Sequence, residues 1–418
     1  MSTASPAGDG MRWMLYPLLS LALVAPLVAL FYWPAGSGLD VTGHQIGRDF
    51  INNWVGPQLA FGGRLGVLFA LDAYHAALGE LFGRPLPFHN WGYPMFTLPA
   101  FWLLAQLPYF WALALWTFGL FALFAWVTVS QVERSQRWYA LLALALAPAC
   151  LINAVGGQNG FLSAALLLGG MLCVGSRPVL AGVLFGLLTF KPHLGLALPL
   201  VLIALGAWRT IAAASVTALV LIAVTIPLFG IEPWLQYVEV TGAYQALLLD
   251  RFRGFYTIMM ASVFAGGRTL GLSYQAAMAI QAAVALPVIV TVCWAVRRTT
   301  DPCLRAALVA CAAVLVSPYA FNYDLTAVSA ALVWMLAGRL PLRPALAPVY
   351  LLAWIAPAAM MYLNMAGVGI MPLAVLALYA VIVREALLSD RAGYAAGQNP
   401  VHALPAVTAE AAGAGRPL

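Results

Sequence analysis

Charge is scarce in this chain. Only 8% of its 418 residues are Asp, Glu, Lys or Arg, and lysine occurs once, at Lys191. A soluble globular surface carries about a quarter charged residues, so a water-exposed domain is excluded as the main body of the protein. Cysteine is scarce too. The five present are Cys150, Cys173, Cys293, Cys303 and Cys311. None forms a CxxC pair, which argues against a disulfide framework or a thiolate metal site and favours small buried hydrophobes. No GxxxxGK[ST] phosphate loop is present, so nothing points to a nucleotide-driven pump. His44, His75 and His89 are scattered over one loop and make a weak case for metal. No metal and no cofactor is therefore expected. The net charge of +6 comes from arginines in short loops and implies no nucleic-acid partner.

Apolar residues fill the space that charge leaves. They make up 63% of the chain, with a mean hydropathy of +0.91. A membrane-crossing helix takes about 20 apolar residues, and candidates recur from end to end. Lipid requires each backbone group to bond within its own segment, and the runs are too continuous for alternating barrel strands. The expected fold is all-α and polytopic, with about 12 transmembrane helices. Trp13–Trp33 reads as an uncleaved first helix, Tyr93–Pro108 as a re-entrant or surface helix, and Tyr109–Val129 as a full span. Val179–Phe190 and Leu194–Ala207 read as short spans or one hairpin broken at Lys191-Pro192.

Residues 1–12 read as a disordered cytoplasmic N-terminus, 13–388 as the membrane domain, and 389–418 as a flexible cytoplasmic tail. Thirteen of the twenty basic residues fall in the short loops of one side and seven on the other. By the positive-inside rule both termini are cytoplasmic, in a plasma (inner) membrane. The long loops 34–93 and 230–273 then face outward, the first carrying short amphipathic helices at the interface.

The polar residues crowd that outer face. Arg48-Asp49-Phe50-Ile51-Asn52-Asn53-Trp54 follows the first helix, and an acid so placed in an apolar chain is a functional candidate. Asp49 fits a general base, although pairing with Arg48 or capping the next helix are plainer uses. Lys191, beside a helix-breaking proline, fits a site for a departing phosphate, with Arg251 and Arg253 next; a lysine snorkelling to lipid headgroups is the alternative. Gln158 and Asn159 suit hydrogen bonds to the hydroxyls of a ligand or simply a tight turn among glycines. Asn52, Asn53, Trp54, Tyr93, His193, Tyr319, Asn322 and Arg48 complete the candidate ligand contacts. Asp324 is either part of them or the cap of the next helix.

These marks resemble glycosyltransferase family 87, which has the C-type glycosyltransferase fold and includes α-1,2-mannosyltransferases using polyprenyl-phosphate mannose. The resemblance rests on Arg48-Asp49-Phe50, Tyr93-Pro94, Gly157-Gln158-Asn159, Ala181-Gly182-Val183-Leu184-Phe185-Gly186 with Lys191-Pro192-His193, Trp208-Arg209, and Ser317-Pro318 with Tyr323-Asp324. Met95 stands where the family often has a second proline. Tyr319 stands where it often has a histidine, so no role for a histidine is carried over there. The resemblance implies a membrane-embedded hexosyltransferase, mannose being the expected sugar. Its partners would be a polyprenyl-phosphate sugar donor, a lipid or glycan acceptor and membrane lipids. Nucleotide sugars are cytosolic, so an outward site needs a donor carried across on lipid. A secondary transporter or flippase is the competing reading, but paired repeats and mid-membrane polar groups, its usual marks, are not evident.

Overall fold

The computed structural model describes residues 6–87 and 89–395. The outer parts of the two expected tails, residues 1–5 and 396–418, lie outside the described residues. Among the described residues the protein is all-α, with one small antiparallel hairpin pairing Pro34–Gly36 with Leu39–Asp40. The first helix runs from Pro6 to Leu27 and continues through a wider turn to Tyr32. Among the described residues, six helices are long and apolar enough to cross a membrane: Met14–Tyr32, Tyr109–Val129, Trp208–Phe229, Tyr274–Ala295, Pro344–Met365 and Pro372–Ser389.

A seventh crossing is made if Arg134–Ala145 and Pro148–Val155 count as one path, bent by 54°. The bend has a local cause. Ala147 is extended, as a residue before proline prefers, and Pro148 opens the second helix with no N–H to lose.

The dozen spans expected from hydropathy are therefore not a dozen long helices. Gly160–Cys173 and Pro302–Val316 have 14 and 15 residues, a length of about 21–22 Å against a hydrocarbon layer of about 30 Å. Their burial explains why they can be short. Every residue of Pro302–Val316 except Pro302 and Arg305 is buried, as is every residue of Thr326–Leu336 except Leu336. Runs of alanine let neighbouring helices approach closely, as small residues do inside membrane proteins. These helices form an inner layer sheathed by longer ones. Trp208–Phe229 is the opposite case, burying only Thr210 and Thr225. It packs along Pro178–Leu187 at Gly182 and Gly186, where a Cβ would strike Ala213, Thr210 and Thr217.

The first loop folds into a second, smaller core. Helix Leu71–Phe82 buries Tyr74, Ala77 and Leu78 along one face, an i, i+3, i+4 stripe. Helix Phe50–Phe61 packs against Thr97–Ala105, the short helix that begins beyond Tyr93-Pro94. The Trp91 ring occupies the space where Gly56 lacks a side chain. The second loop is also helical, through Glu232–Gln236, Gly242–Arg251, Phe255–Met259 and Val263–Thr269.

Side-chain bonds tie the helix ends into two groups. In one, Arg339 forks onto Asp301 and Arg343 onto Glu385. In the other lie Asp49, Gln158, Lys191 and Asp324. Pro302–Val316 runs from the first group to the second, and Thr326–Leu336 runs back, which places the groups at opposite ends of the inner layer.

Candidate functional site

The second group of ends encloses a cavity of about 610 Å³. Asp49 is the one carboxylate that lines it among the described residues. It sits at the N-cap, just before helix Phe50–Phe61, yet its side chain caps nothing. It does not pair with Arg48 either: Arg48 Nε donates to Asp40 Oδ2 at 2.9 Å, and the guanidinium lies over the rings of Tyr32 and Phe255 at 4.3 and 4.8 Å. What Asp49 receives is a hydrogen bond from Gln158 Nε2. Both plainer uses of this acid thus go unfilled, and its carboxylate is left half-exposed to the cavity with no cation partner among the described residues.

Two glycines make that contact. Gly47 and Gly157 both have left-handed backbones, φ +90° and +58°, a conformation that side chains resist. A Cβ on Gly157 would overlap the Gly47 carbonyl. The close approach brings the Asp49 loop against the Gln158 turn. Trp116 Nε1 holds that turn by donating to the carbonyls of Gly157 and Gln158 at 3.2 and 3.3 Å.

Lys191 lies at the cavity wall but is already neutralised. Its Nζ donates to Asp324 Oδ1 at 2.5 Å and to Asn159 Oδ1 at 2.8 Å, and it rests over the Tyr323 ring. Asp324 is buried behind it and also accepts from the Phe321 N–H, a cap-like bond to the backbone. Asn159 in turn donates to the Tyr93 hydroxyl at 3.2 Å. Burial raises the Tyr93 phenol well above its ordinary range, keeping it protonated. His193 lines the cavity with an unpartnered Nε2, 3.9 Å from Asp324 Oδ2.

Arg253 is different. It is exposed and lines the cavity, and no carboxylate meets it among the described residues. Left-handed Phe252 and Gly254 turn the chain on either side of it.

The cavity brings together Arg48, Asp49, Asn52, Tyr93, Gln158, Asn159, Lys191, His193, Arg253 and Tyr319. The other candidates lie elsewhere. Arg251 is exposed outside the lining. Asn53 is buried beneath it, and Trp54 donates to the Leu107 carbonyl while packing on Phe82 and Tyr109. Asn322 is buried and donates to the Pro357 carbonyl. Asn52 points its carbonyl at the Tyr74 hydroxyl, 2.6 Å away, which leaves its amide N–H groups for a ligand. The lining also includes Asn90, Tyr244, Gln245 and Tyr256, which sequence reasoning passed over, and His44 and His89, which it weighed only as a weak case for metal. Nothing in their local sequence sets them apart, because the fold, not a motif, gathers them.

Compared with known families, residues 91–318 match the model of glycosyltransferase family 87. The chain belongs to glycosyltransferase family 87. No curated protein and no solved structure matches it. This membrane-embedded glycosyltransferase carries Tyr93, Gln158, Asn159, Lys191, His193 and Arg253 inside the matched stretch, while His44, Arg48, Asp49 and Asn52 precede it. The wall that holds the carboxylate thus comes from the first loop, and the wall facing it from the family-matched part of this transferase.

Proposed function

We propose that this family-87 glycosyltransferase moves a hexose, mannose being the first choice, from a polyprenyl-phosphate donor to an acceptor hydroxyl on the extracytoplasmic face of the membrane. The observation that carries the reading is Asp49: a carboxylate that caps no helix and, among the described residues, meets no cation, on a cavity that also holds Arg253, which meets no carboxylate there. Asp49 takes the acceptor proton as the acceptor oxygen attacks the anomeric carbon. The bond from that carbon to the phosphate oxygen breaks, and the phosphate leaves with the electron pair. A single displacement inverts the anomeric centre, by the logic that governs one-step glycosidases. A positioned base of this kind contributes about 10²- to 10⁴-fold in rate.

The leaving phosphate needs positive charge already in place. Lys191 is the candidate that sequence favours, but its charge is met by Asp324. Arg253 is the better donor-phosphate ligand, because binding an anion there breaks no existing ion pair. Lys191 then acts by fixing Asn159 and, through it, Tyr93.

The test is a panel of sugar donors offered to the purified protein in reconstituted membranes. Transfer from polyprenyl-phosphate sugars and none from nucleotide sugars is the expected outcome; the reverse pattern overturns the donor assignment. Cysteines placed at positions 49 and 209 should label from opposite sides of sealed vesicles, the first from outside. Labelling of both from one side contradicts the orientation.

A further inference from the structure

His44 and His89 stand 45 positions apart in the chain, yet their rings meet edge to face with centroids 6.1 Å apart, on the wall that also carries Asp49. Hydrogen-bond bookkeeping fixes where their protons sit. The Thr42 hydroxyl lies 2.7 Å from Asp40 Oδ1, 3.0 Å from Arg48 Nη2 and 2.7 Å from His44 Nδ1. A hydroxyl has one proton to give. The Asp40 carboxylate, ion-paired with Arg48, can only accept, so it takes that proton. The guanidinium can only donate. His44 Nδ1 must therefore bring its own proton to Thr42, and Nε2 of the neutral ring is bare. At His89 the argument is shorter: Nδ1 lies 2.8 Å from the Pro87 carbonyl, which only accepts, so Nδ1 carries the proton there too. Neither Nε2 has a partner among the described residues.

Three acceptors thus share one wall: two imidazole nitrogens and the Asp49 carboxylate. A ligand seated there must supply donors. A phosphate cannot, and the unpaired cation suited to it is Arg253. We propose that His44 and His89 hold the acceptor substrate by accepting hydrogen bonds from its hydroxyls, so that the acceptor is a polyhydroxylated headgroup or glycan seated beside Asp49. The assignment deepens the transferase reading and rests on it for the word acceptor; the pair's preference for polyols stands or falls separately.

Burial lowers both histidines below their ordinary value of 6.5, with the Arg48 charge adding to this at each. Asp40, Asp49 and His89 also face His44; Asp49 and His75 also face His89. Both rings are neutral at pH 7 and become donors only in acid. Polyol binding should therefore hold above pH 6.5 and weaken as pH falls through the lowered values.

The test uses the full chain in lipid nanodiscs, with methyl α-mannoside as the polyol probe and farnesyl phosphate as the anion probe, both read by ligand-observed NMR. Asparagine keeps an N–H near the Nδ1 position and lacks the Nε2 acceptor; glutamine places a carbonyl near Nε2. The double variant His44→Asn, His89→Asn should weaken methyl α-mannoside about tenfold, the loss of one or two hydrogen bonds, and abolish the acid dependence. Its melting temperature and farnesyl phosphate affinity should not change. His44→Gln with His89→Gln should restore most of the glycoside affinity. Unchanged glycoside binding in the asparagine pair, a parallel loss of farnesyl phosphate, or no glycoside binding by the unmodified protein overturns the proposal. So does tight manganese binding that the asparagine pair removes, which would make the histidines a metal site. His-dependent glycoside binding without any farnesyl phosphate binding would instead keep the pair and sink the donor assignment.

Discussion

The two ends of the inner helices treat charge in opposite ways. At the end holding Asp301, Arg339 meets that carboxylate with two hydrogen bonds of 2.7 and 2.9 Å, and Asp301 also caps helix Pro302–Val316. Arg343 grips Glu385 in the same forked manner. Each of these four charges is satisfied by another part of the fold. At the cavity end, among the described residues, Asp49 has an amide for its partner and no cation, and Arg253 has no carboxylate, although both line one space. Opposite charges that satisfy each other do structural work. Charges kept apart remain able to act on a ligand that needs both, here a hydroxyl losing a proton and a phosphate gaining charge.

Lys191–Asp324 and Arg48–Asp40 are paired charges at the cavity end, both more buried than the contacts opposite, and breaking Lys191–Asp324 should have the largest effect on stability. Asp324→Leu or Lys191→Met alone strands a buried charge and should cost about 3–5 kcal/mol, whereas the double variant recovers most of that. Thermal unfolding of the three proteins in one detergent checks this; an additive double variant would mean that the pair is not coupled. Gly157→Ala comes next. A side chain forced into the left-handed region costs about 1–3 kcal/mol, and here it also pushes the Asp49 loop off the Gln158 turn. Gly175→Ala, at the opposite end with nothing within 4 Å, should be silent in the same unfolding assay.

Arg253→Gln should leave stability unchanged and raise the apparent donor KM about tenfold, roughly the worth of one charge-assisted hydrogen bond. A normal donor KM would return the phosphate to another cation. Smaller again is Arg339→Ala. A partly exposed ion pair contributes about 1 kcal/mol or less, and transfer activity should not move. A clear loss of activity in that variant would break the division between the ends.

Much of this division was legible in the sequence. Counting spans alternately places Asp49, Gln158, Lys191 and Tyr319 at ends that point the same way, and these four do line one cavity. The alternation says nothing about which direction around a helix a side chain faces. Asn322 and Trp54 sit in the right turns but point into protein, toward the Pro357 and Leu107 carbonyls. Pairings across long separations were equally hidden. Lys191 finds its counter-charge 133 residues on, and Arg48 turns back to Asp40 instead of its neighbour Asp49. Hydropathy also cannot tell an apolar residue facing lipid from one facing protein. The alanine-rich run Pro302–Val316 looks like a span, yet it is enclosed by other helices and need not be as long as one.

The most direct measurement is the transfer rate of Asp49→Asn from a polyprenyl-phosphate sugar in reconstituted membranes, taken with its melting temperature. Asparagine can still accept the Gln158 hydrogen bond, so the fold should be kept. The account predicts an unchanged melting temperature with transfer reduced about 10²-fold or more. Full activity in that variant would contradict it.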